Sequence, residues 1–512
     1  MISRITVIAV VAGLLLLFSP FVSNPSAYAE GDSTVEELIH EWKNPEGGRY
    51  TGEEEWQRNI IIEKLTNHND PAATDALKTI YKLSSAYEIK THILRGLLVR
   101  GGTEHIEFAL QELFKIGRKD KIAVYAFRDI LDFCEDEETF EEFAKYGPLF
   151  LRNKNFVPAL PILLSNVGKQ DKDLKILRRM VKNSDPHIAG NAIVTLCKWG
   201  DEKELKKILG LAKSKHRYVR MSLAEALSYR WDDPQSRTAL ENLTADEEWQ
   251  VRFKAYTAMA QNGDKDMHIR LCDQIRKEEI RRIQFAVADI FKQKTKKDLG
   301  LNWTAWKIWF DKNEEGAVDN MGLATVDYFG YKIKSNRIVF IVDISGSMEA
   351  IKDGKNRLEK AKEELSKVVD RFDTNIRFNI IAFSDCVRMW EQEGLLQATK
   401  ENKDSALAWV SRLTPGGGTS TYEAINAAFE KTPADTIYFL SDGLPSVGKY
   451  IYCFRIRMEQ TAVNRDNLIQ VHCIGLLTGL HDAEKPKYLE GAAEFLKLFS
   501  KSNFGEAKII DE

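Results

Sequence analysis

RIVFIVDISGSM, residues 337–348, decides the fold of the C-terminal third of this chain. The run from Arg337 to Asp343 is apolar and rich in β-branched residues, and it reads as a strand. A Ser/Gly turn follows it at once. Further strand candidates lie at 376–383, 436–440, 468–476 and 507–510. Amphipathic stretches alternate with them at 357–372, 405–413, 422–431, 450–464 and 488–501. Alternation of this kind is the signature of βαβ units and predicts an open, doubly wound α/β sheet of Rossmann-like layout.

Ligands of such sheets bind beyond the carboxyl ends of the strands. Three loops at that edge carry polar groups. The first holds Asp343, Ser345 and Ser347; the second, TPGGGTSTYEAI at 414–425, holds Thr419; the third, after TIYFL, holds Asp442. Two carboxylates and three hydroxyls would converge on one point. All are hard oxygen donors, so the matching ion is Mg²⁺ or Mn²⁺ rather than zinc or copper. Two aspartates balance a divalent charge, and water completes the octahedron. Gly346 and Gly416 to Gly418 let the backbone approach closely. Two neighbours have double readings. Asp385 follows a strand and either rims the site or forms a turn, the turn being preferred. Thr421 either orients the ligating groups or caps the next helix.

DISGSM, GGGTSTYEAI and LSDG, in that order and on those elements, resemble the von Willebrand factor A-type, integrin-inserted-domain family. The resemblance covers roughly 336–512, and FLKLFSKSNFGEAKII at 495–510 is similar to the final helix and strand of bacterial members. It implies that Asp343, Ser345, Ser347, Thr419 and Asp442 hold the metal, with no departure from the family's pattern. It also implies an open metal position for an Asp or Glu carboxylate of a partner protein.

Residues 34–310 read as helix after helix, with turn signals at Asp70-Pro71, Gly101-Gly102, Asp185-Pro186 and Asp233-Pro234. A weak repeat runs through the segments starting at Asp185, His216, Glu247 and Glu278, and Val219-Arg220 recurs as Val251-Arg252, 32 residues on. It resembles HEAT-like repeats of two helices each, in which one pair cannot bury its apolar stripe alone and stacking buries a continuous core. Segments 56–68 and 87–100 are expected to belong to the same array. Trp303, Trp306 and Trp309 share a helix face and are expected to cap the last repeat or dock the next domain.

The expected organisation is a signal peptide at 1–29, a helical HEAT-like domain at 30–310, a linker at 311–335 and the A-type domain at 336–512. Arg4, the apolar run 5–18 and Ala27-Tyr28-Ala29 make the export signal. They predict a periplasmic or secreted location, with a membrane anchor only if the signal is not cleaved. The 73 basic and 76 acidic residues nearly cancel, leaving −3, so nothing argues for nucleic acid as a partner. Six scattered cysteines without a C-x-x-C pair read as buried small side chains. There is no GxxxxGK[ST] loop and no HExxH motif. The reading is a non-enzymatic, metal-dependent protein-binding or scaffold protein. The alternative is a non-catalytic subunit of an envelope assembly or a chelatase-like complex.

Overall fold

The computed structural model describes residues 33–45, 53–133, 137–167, 171–200, 204–312, 326–352, 354–477 and 486–510. The expected signal peptide, most of the expected linker, and Cys134 lie outside these residues. The described chain forms two compact units, one within 131–325 and one that joins 23–130 to 326–512.

The second unit contains the expected sheet. Strands β1 (Asp327–Tyr328) and β2 (Tyr331–Lys332) form a small hairpin, as do β4 (Ile351–Lys352) and β5 (Lys355–Asn356). The main sheet has β3 (Arg337–Asp343), β6 (Arg377–Phe383), β7 (Val387–Met389), β8 (Leu396–Gln397), β9 (Thr436–Ser441), β10 (Gln470–Leu476) and β11 (Ala507–Ile510). Its order is β11-β10-β9-β3-β6-β7, with β8 also on β6. Five strands run parallel, while β7 and β8 pair antiparallel to β6. The two antiparallel strands, of three and two residues, are too short to leave a period in the sequence. The chain leaves β3 for β6 on one side and later returns to β9 on the other. The carboxyl end of β3 is therefore a switch point, where crossovers diverge and leave a crevice.

Both faces of the sheet are covered, which is why β3 is apolar at every interior position. Ile338, Phe340 and Val342 pack under helices Arg357–Asp370 and Lys400–Ser411. Val339 and Ile341 face the opposite layer, made by helices Thr421–Lys431, Cys453–Asn467 and Pro486–Ser502. Trp56 and Ile60 of helix Glu53–Asn67 are buried in this same layer. Segments 56–68 and 87–100, expected in the repeat array, thus lie in the compact unit of the sheet. Their apolar residues have a sheet layer to cover, at about 1.5–3 kcal/mol per large side chain buried. Asn59 deepens the tie. Its side-chain oxygen accepts the Phe454 backbone N–H at 3.1 Å, capping a helix whose own N-cap, Tyr452, has no side-chain oxygen bond to offer.

A buried ionic cluster joins the same segments. His92 accepts from the Tyr452 hydroxyl at 2.8 Å and donates to Glu63 at 2.9 Å, while its ring stacks on Phe454. Arg95 donates to Asp129 at 2.7 Å, and Arg457 lies 3.5 Å from Asp129 and 3.7 Å from Glu63. Burial works against the charge on Glu63, but the His92 imidazole and the guanidinium groups of Arg95 and Arg457 outweigh it and hold its carboxyl at about 2. Burial drives the His92 imidazole below its ordinary value, against the pull of Glu63.

The other unit carries the repeats. Helices Pro186–Lys198, Arg217–Ser228, Trp249–Asn262 and Arg281–Thr295 stack in succession. Asp185 and Asp233 cap their helices as the Asp-Pro signals require, Asp233 accepting from Ser236 N at 2.7 Å. The repeated Val-Arg has a structural use. Arg220 reaches the Asp246 carboxylate with two N–H groups at 2.7 and 2.9 Å, and Arg252 reaches Glu278 in the same way at 2.8 and 2.9 Å. Each arginine is thus tied to the acidic residue that opens the next repeat. Trp303 and Trp306 close the array against Phe291, with the Trp306 indole N–H on Gly300 O. Cys197, Cys272, Cys453 and Cys473 are buried, and Cys386 is exposed. Among the described residues no helix is long and apolar enough to cross a membrane.

Candidate functional site

Local chain geometry brings the three loops together at the switch point. β3 ends at Asp343, and Ile344 N bonds to Phe383 O of the neighbouring strand. The 416–419 loop is laced to the first loop by Gly416 N to Ile344 O at 2.8 Å and Gly346 N to Gly417 O at 2.9 Å. Gly417 has φ +85°, and a Cβ there would meet the Asp385 carboxylate at 2.4 Å, so the loop demands glycine. Asp385 is more than a turn former: its carboxylate accepts the Gly418 N–H at 2.7 Å and pins the loop that carries Thr419.

Asp343 is fully buried. One of its oxygens accepts from Ser345 N at 2.8 Å and the other from the Ser441 hydroxyl at 2.5 Å. Ser345 and Ser347 hydroxyls sit 3.1 Å apart, and Ser347 donates to Asp442 Oδ1 at 2.7 Å. Asp442 is also fully buried. Burial, and then the neighbouring Asp442 charge, push the Asp343 carboxyl up to about 7. Burial raises Asp442 too, against the opposing pull of Arg357. Two carboxylates in a water-poor crevice that resist ionisation are a site with cation charge missing.

Thr419 is buried, and its backbone is fixed on both sides, N–H to Ser446 Oγ at 2.9 Å and C=O from Ser446 N at 3.1 Å. Thr421 opens helix Thr421–Lys431 as its first residue rather than its cap. Its hydroxyl is buried with no hydrogen-bond partner among the described residues, two positions from Thr419. That orphaned oxygen and the strained carboxylates fit a hydrated hard cation. No three His, Cys, Asp or Glu side chains gather around a metal position among the described residues. The donor set here consists of two carboxylates completed by hydroxyls.

Sequence reasoning missed Arg357. Its guanidinium is buried and donates from Nη1 to Asp442 Oδ2 at 2.6 Å. The signal was present: Arg357, Ala361 and Leu365 share the buried stripe of one helix, where a charge needs a partner. Tyr488 was also missed. Its hydroxyl accepts the Leu444 N–H at 3.0 Å, and a Cβ on Gly443 would meet it at 2.7 Å, so it fixes the loop after Asp442.

Residues 338–444 match the family described as von Willebrand factor type A domain, and residues 208–289 match HEAT repeats. Curated relatives include Inter alpha-trypsin inhibitor, heavy chain 4 of Mus musculus, 32% identical over 127 residues, which are 22% of this chain and 13% of that protein. Inter-alpha-trypsin inhibitor heavy chain H2 of Mesocricetus auratus is 31% identical over 160 residues, 28% of this chain and 16% of that one. The chain thus spans a small fraction of the relatives it matches. Among solved structures, a von Willebrand factor type A protein from Catenulispora acidiphila is 21% identical, covering 35% of this chain and 40% of that chain with a TM-score of 0.27.

Proposed function

We propose that this chain, carrying a von Willebrand factor type A domain and HEAT repeats, is a non-enzymatic protein-binding scaffold whose sheet edge holds a divalent cation. Asp343, Ser345, Ser347, Thr419 and Asp442 are the ligands, and Mg²⁺ or Mn²⁺ is the ion. The bound cation supplies a Lewis-acidic position that an Asp or Glu side chain of a partner protein completes. The observation that carries this reading is the pair of fully buried carboxylates, Asp343 and Asp442, with Arg357 ion-paired to Asp442. Taking anions out of water is costly unless they are paired or coordinate a metal.

The surrounding residues have separate tasks. Ser441 and the Ser345 N–H fix the Asp343 oxygens, Ser446 fixes the backbone of Thr419, and Tyr488 fixes the loop beyond Asp442. The site is therefore preorganised by its own hydrogen bonds. We further propose export, from Arg4, the run 5–18 and Ala27-Tyr28-Ala29, to the periplasm or the medium, with the mature chain starting after Ala29. Along the sequence we propose helical residues 30–310, a linker at 311–335 and the A-type domain at 336–512, with the helices before 131 belonging to the compact unit of the sheet.

The test is capture of a partner from envelope or culture extract by the full chain, with Mg²⁺ against EDTA, using wild type and Asp343→Ala. Capture that needs both Mg²⁺ and Asp343 supports the reading. Equal capture in EDTA and by the variant shows that the helical surface binds alone, and the metal reading of the interaction is then wrong.

A further inference from the structure

We propose that Arg357 is the cation-selecting residue of the site: by occupying one oxygen of Asp442 it leaves a one-oxygen carboxylate that suits Mg²⁺ and disfavours Ca²⁺. This rests on the metal reading above and extends it to a residue outside the ligand set.

Arg357 is placed with care. It is the first residue of helix Arg357–Asp370, whose start is a full capping box: Asn356 accepts the Glu359 N–H at 2.8 Å and Glu359 accepts the Asn356 N–H at 2.8 Å. Arg357 N bonds to Ala350 O at 3.1 Å, closing the β4–β5 hairpin against the first ligand loop. The side chain then turns inward, Nη1 reaching Asp442 Oδ2 at 2.6 Å and Ser347 O at 3.4 Å. Both partners of the ion pair are almost wholly inaccessible, at 2% and 0% side-chain exposure, so solvent does not compete for either. Meanwhile Oδ1 of Asp442 faces the Ser347 hydroxyl at 2.7 Å. The two oxygens of one carboxylate are thus divided: Oδ2 to the guanidinium, Oδ1 to the loop of hydroxyls. The opposite carboxylate is divided too. Asp343 uses one oxygen for Ser345 N and the other for Ser441 Oγ.

The consequence for a cation is coordinative. Ca²⁺ takes about six to eight oxygens and favours carboxylates that give both oxygens. Mg²⁺ is smaller, demands six ligands in a tight octahedron and keeps several waters. Each aspartate oxygen already has one lone pair engaged, and on Asp442 Oδ2 the partner is a buried cation, which opposes a metal there; a site with one-oxygen carboxylates and short hydroxyls for the rest meets the second demand better than the first. Arg357 also corrects the charge. Two aspartates and one guanidinium leave a single negative charge, not two. A bound divalent ion then leaves the site positive, which makes an anionic last ligand favourable rather than indifferent.

The full chain, stripped of metal, is titrated calorimetrically with MgCl₂ and separately with CaCl₂, for wild type, Arg357→Gln and Arg357→Lys. Circular dichroism and a melting curve establish that each variant folds. Wild type is expected to prefer Mg²⁺. Arg357→Gln frees Oδ2, so the Ca²⁺ to Mg²⁺ affinity ratio should rise, by at most the about 10–100-fold through which a ligand's outer partner can move metal affinity. Arg357→Lys keeps the charge with one contact and should fall between, and it carries the test if the Gln variant does not fold. An unchanged Mg²⁺ to Ca²⁺ ratio in a folded variant overturns the assignment of Arg357 while leaving the metal site standing. Absence of any cation binding by wild type, with Asp343→Ala behaving identically, overturns both.

Discussion

Two groups of charged side chains lie buried or mostly buried in the sheet unit, and they differ in one respect. Around His92, the anions Glu63 and Asp129 meet the cations Arg95 and Arg457 within hydrogen-bonding or ion-pairing distance, and the imidazole is satisfied on both nitrogens. At the sheet edge, Arg357 pairs with Asp442, while Asp343 is held by the Ser345 N–H and the Ser441 hydroxyl. In the first group each of these anions meets a cation, and the group holds two parts of the unit together. The second is one positive charge short. Burial of charge is common to both, so burial by itself does not mark a binding site; the unmet charge does.

Breaking the first group should have the largest effect. Arg457→Leu leaves Asp129 and Glu63 with less cation, and is expected to destabilise the unit by about 3–5 kcal/mol in denaturant unfolding. If the group were merely incidental, the loss would not exceed that of an exposed ion pair, about 0–1 kcal/mol. The contrasting change, Asp343→Asn in metal-free protein, removes repulsion and should cost far less or stabilise.

The two groups should also respond to pH with opposite signs. Glu63 titrates near 2 when folded and near 4.5 when unfolded. Its contribution is complete above 4.5 and disappears as pH falls through 2. That is a loss of about 3 kcal/mol. His92, lowered by burial, adds loss in the same direction below 6.5. Asp343 behaves in reverse: with a folded value near 7, its contribution is complete below 3.8 and is lost as pH rises through 7. Unfolding free energy against pH, measured for metal-free wild type, Glu63→Gln and Asp343→Asn, resolves the two limbs. An acid limb undiminished in Glu63→Gln, or an alkaline limb undiminished in Asp343→Asn, contradicts the assignment.

Supplying the missing charge is next in size. Mg²⁺ at about 100 times its dissociation constant should stabilise wild type by about 2.7 kcal/mol. Asp343→Ala should abolish that shift in a melting experiment, and Arg457→Leu should leave it in place if the protein folds. The smallest effect belongs to the helix cap: Asn59→Ala should cost about 1 kcal/mol, read from the midpoint of denaturation.

The legibility of the molecule followed the same line. The central parallel strands were readable because each is a mostly apolar run covered on both faces, and edge strand β11 because it follows a clear amphipathic helix, whereas β7 and β8 are too short to show a pattern. Asp343, Ser345, Ser347, Thr419 and Asp442 stood out in the sequence because they sit in short loops beside glycines, and the structure brings those loops together; their role as ligands is the proposal. Arg357 and Tyr488 were not, because each acts from a helix through a contact far along the chain. The repeats from 185 onward were readable because their residues recur. Helices Glu53–Asn67 and Tyr87–Arg100 share the helical period, and nothing in that period tells which surface will cover it. Their partners, Phe454, Tyr452 and Arg457, stand over three hundred residues away.

That separation has a temporal meaning. The Asn59 cap on Phe454 spans 395 residues of chain. During synthesis, helix Glu53–Asn67 emerges with Trp56 and Ile60 facing outward, long before β3, β9 or helix Cys453–Asn467 exists to receive them. Residues 131–325 form a unit of their own between the two halves. Its repeats make mostly local contacts, which form quickly, so this insert can be complete while the earlier helices still wait. The waiting surface is apolar and open to wrong partners for that whole interval. A chain released before the last helix is made should therefore keep a finished repeat unit and an unfinished sheet unit, and it is the unfinished half that a holding chaperone would seize.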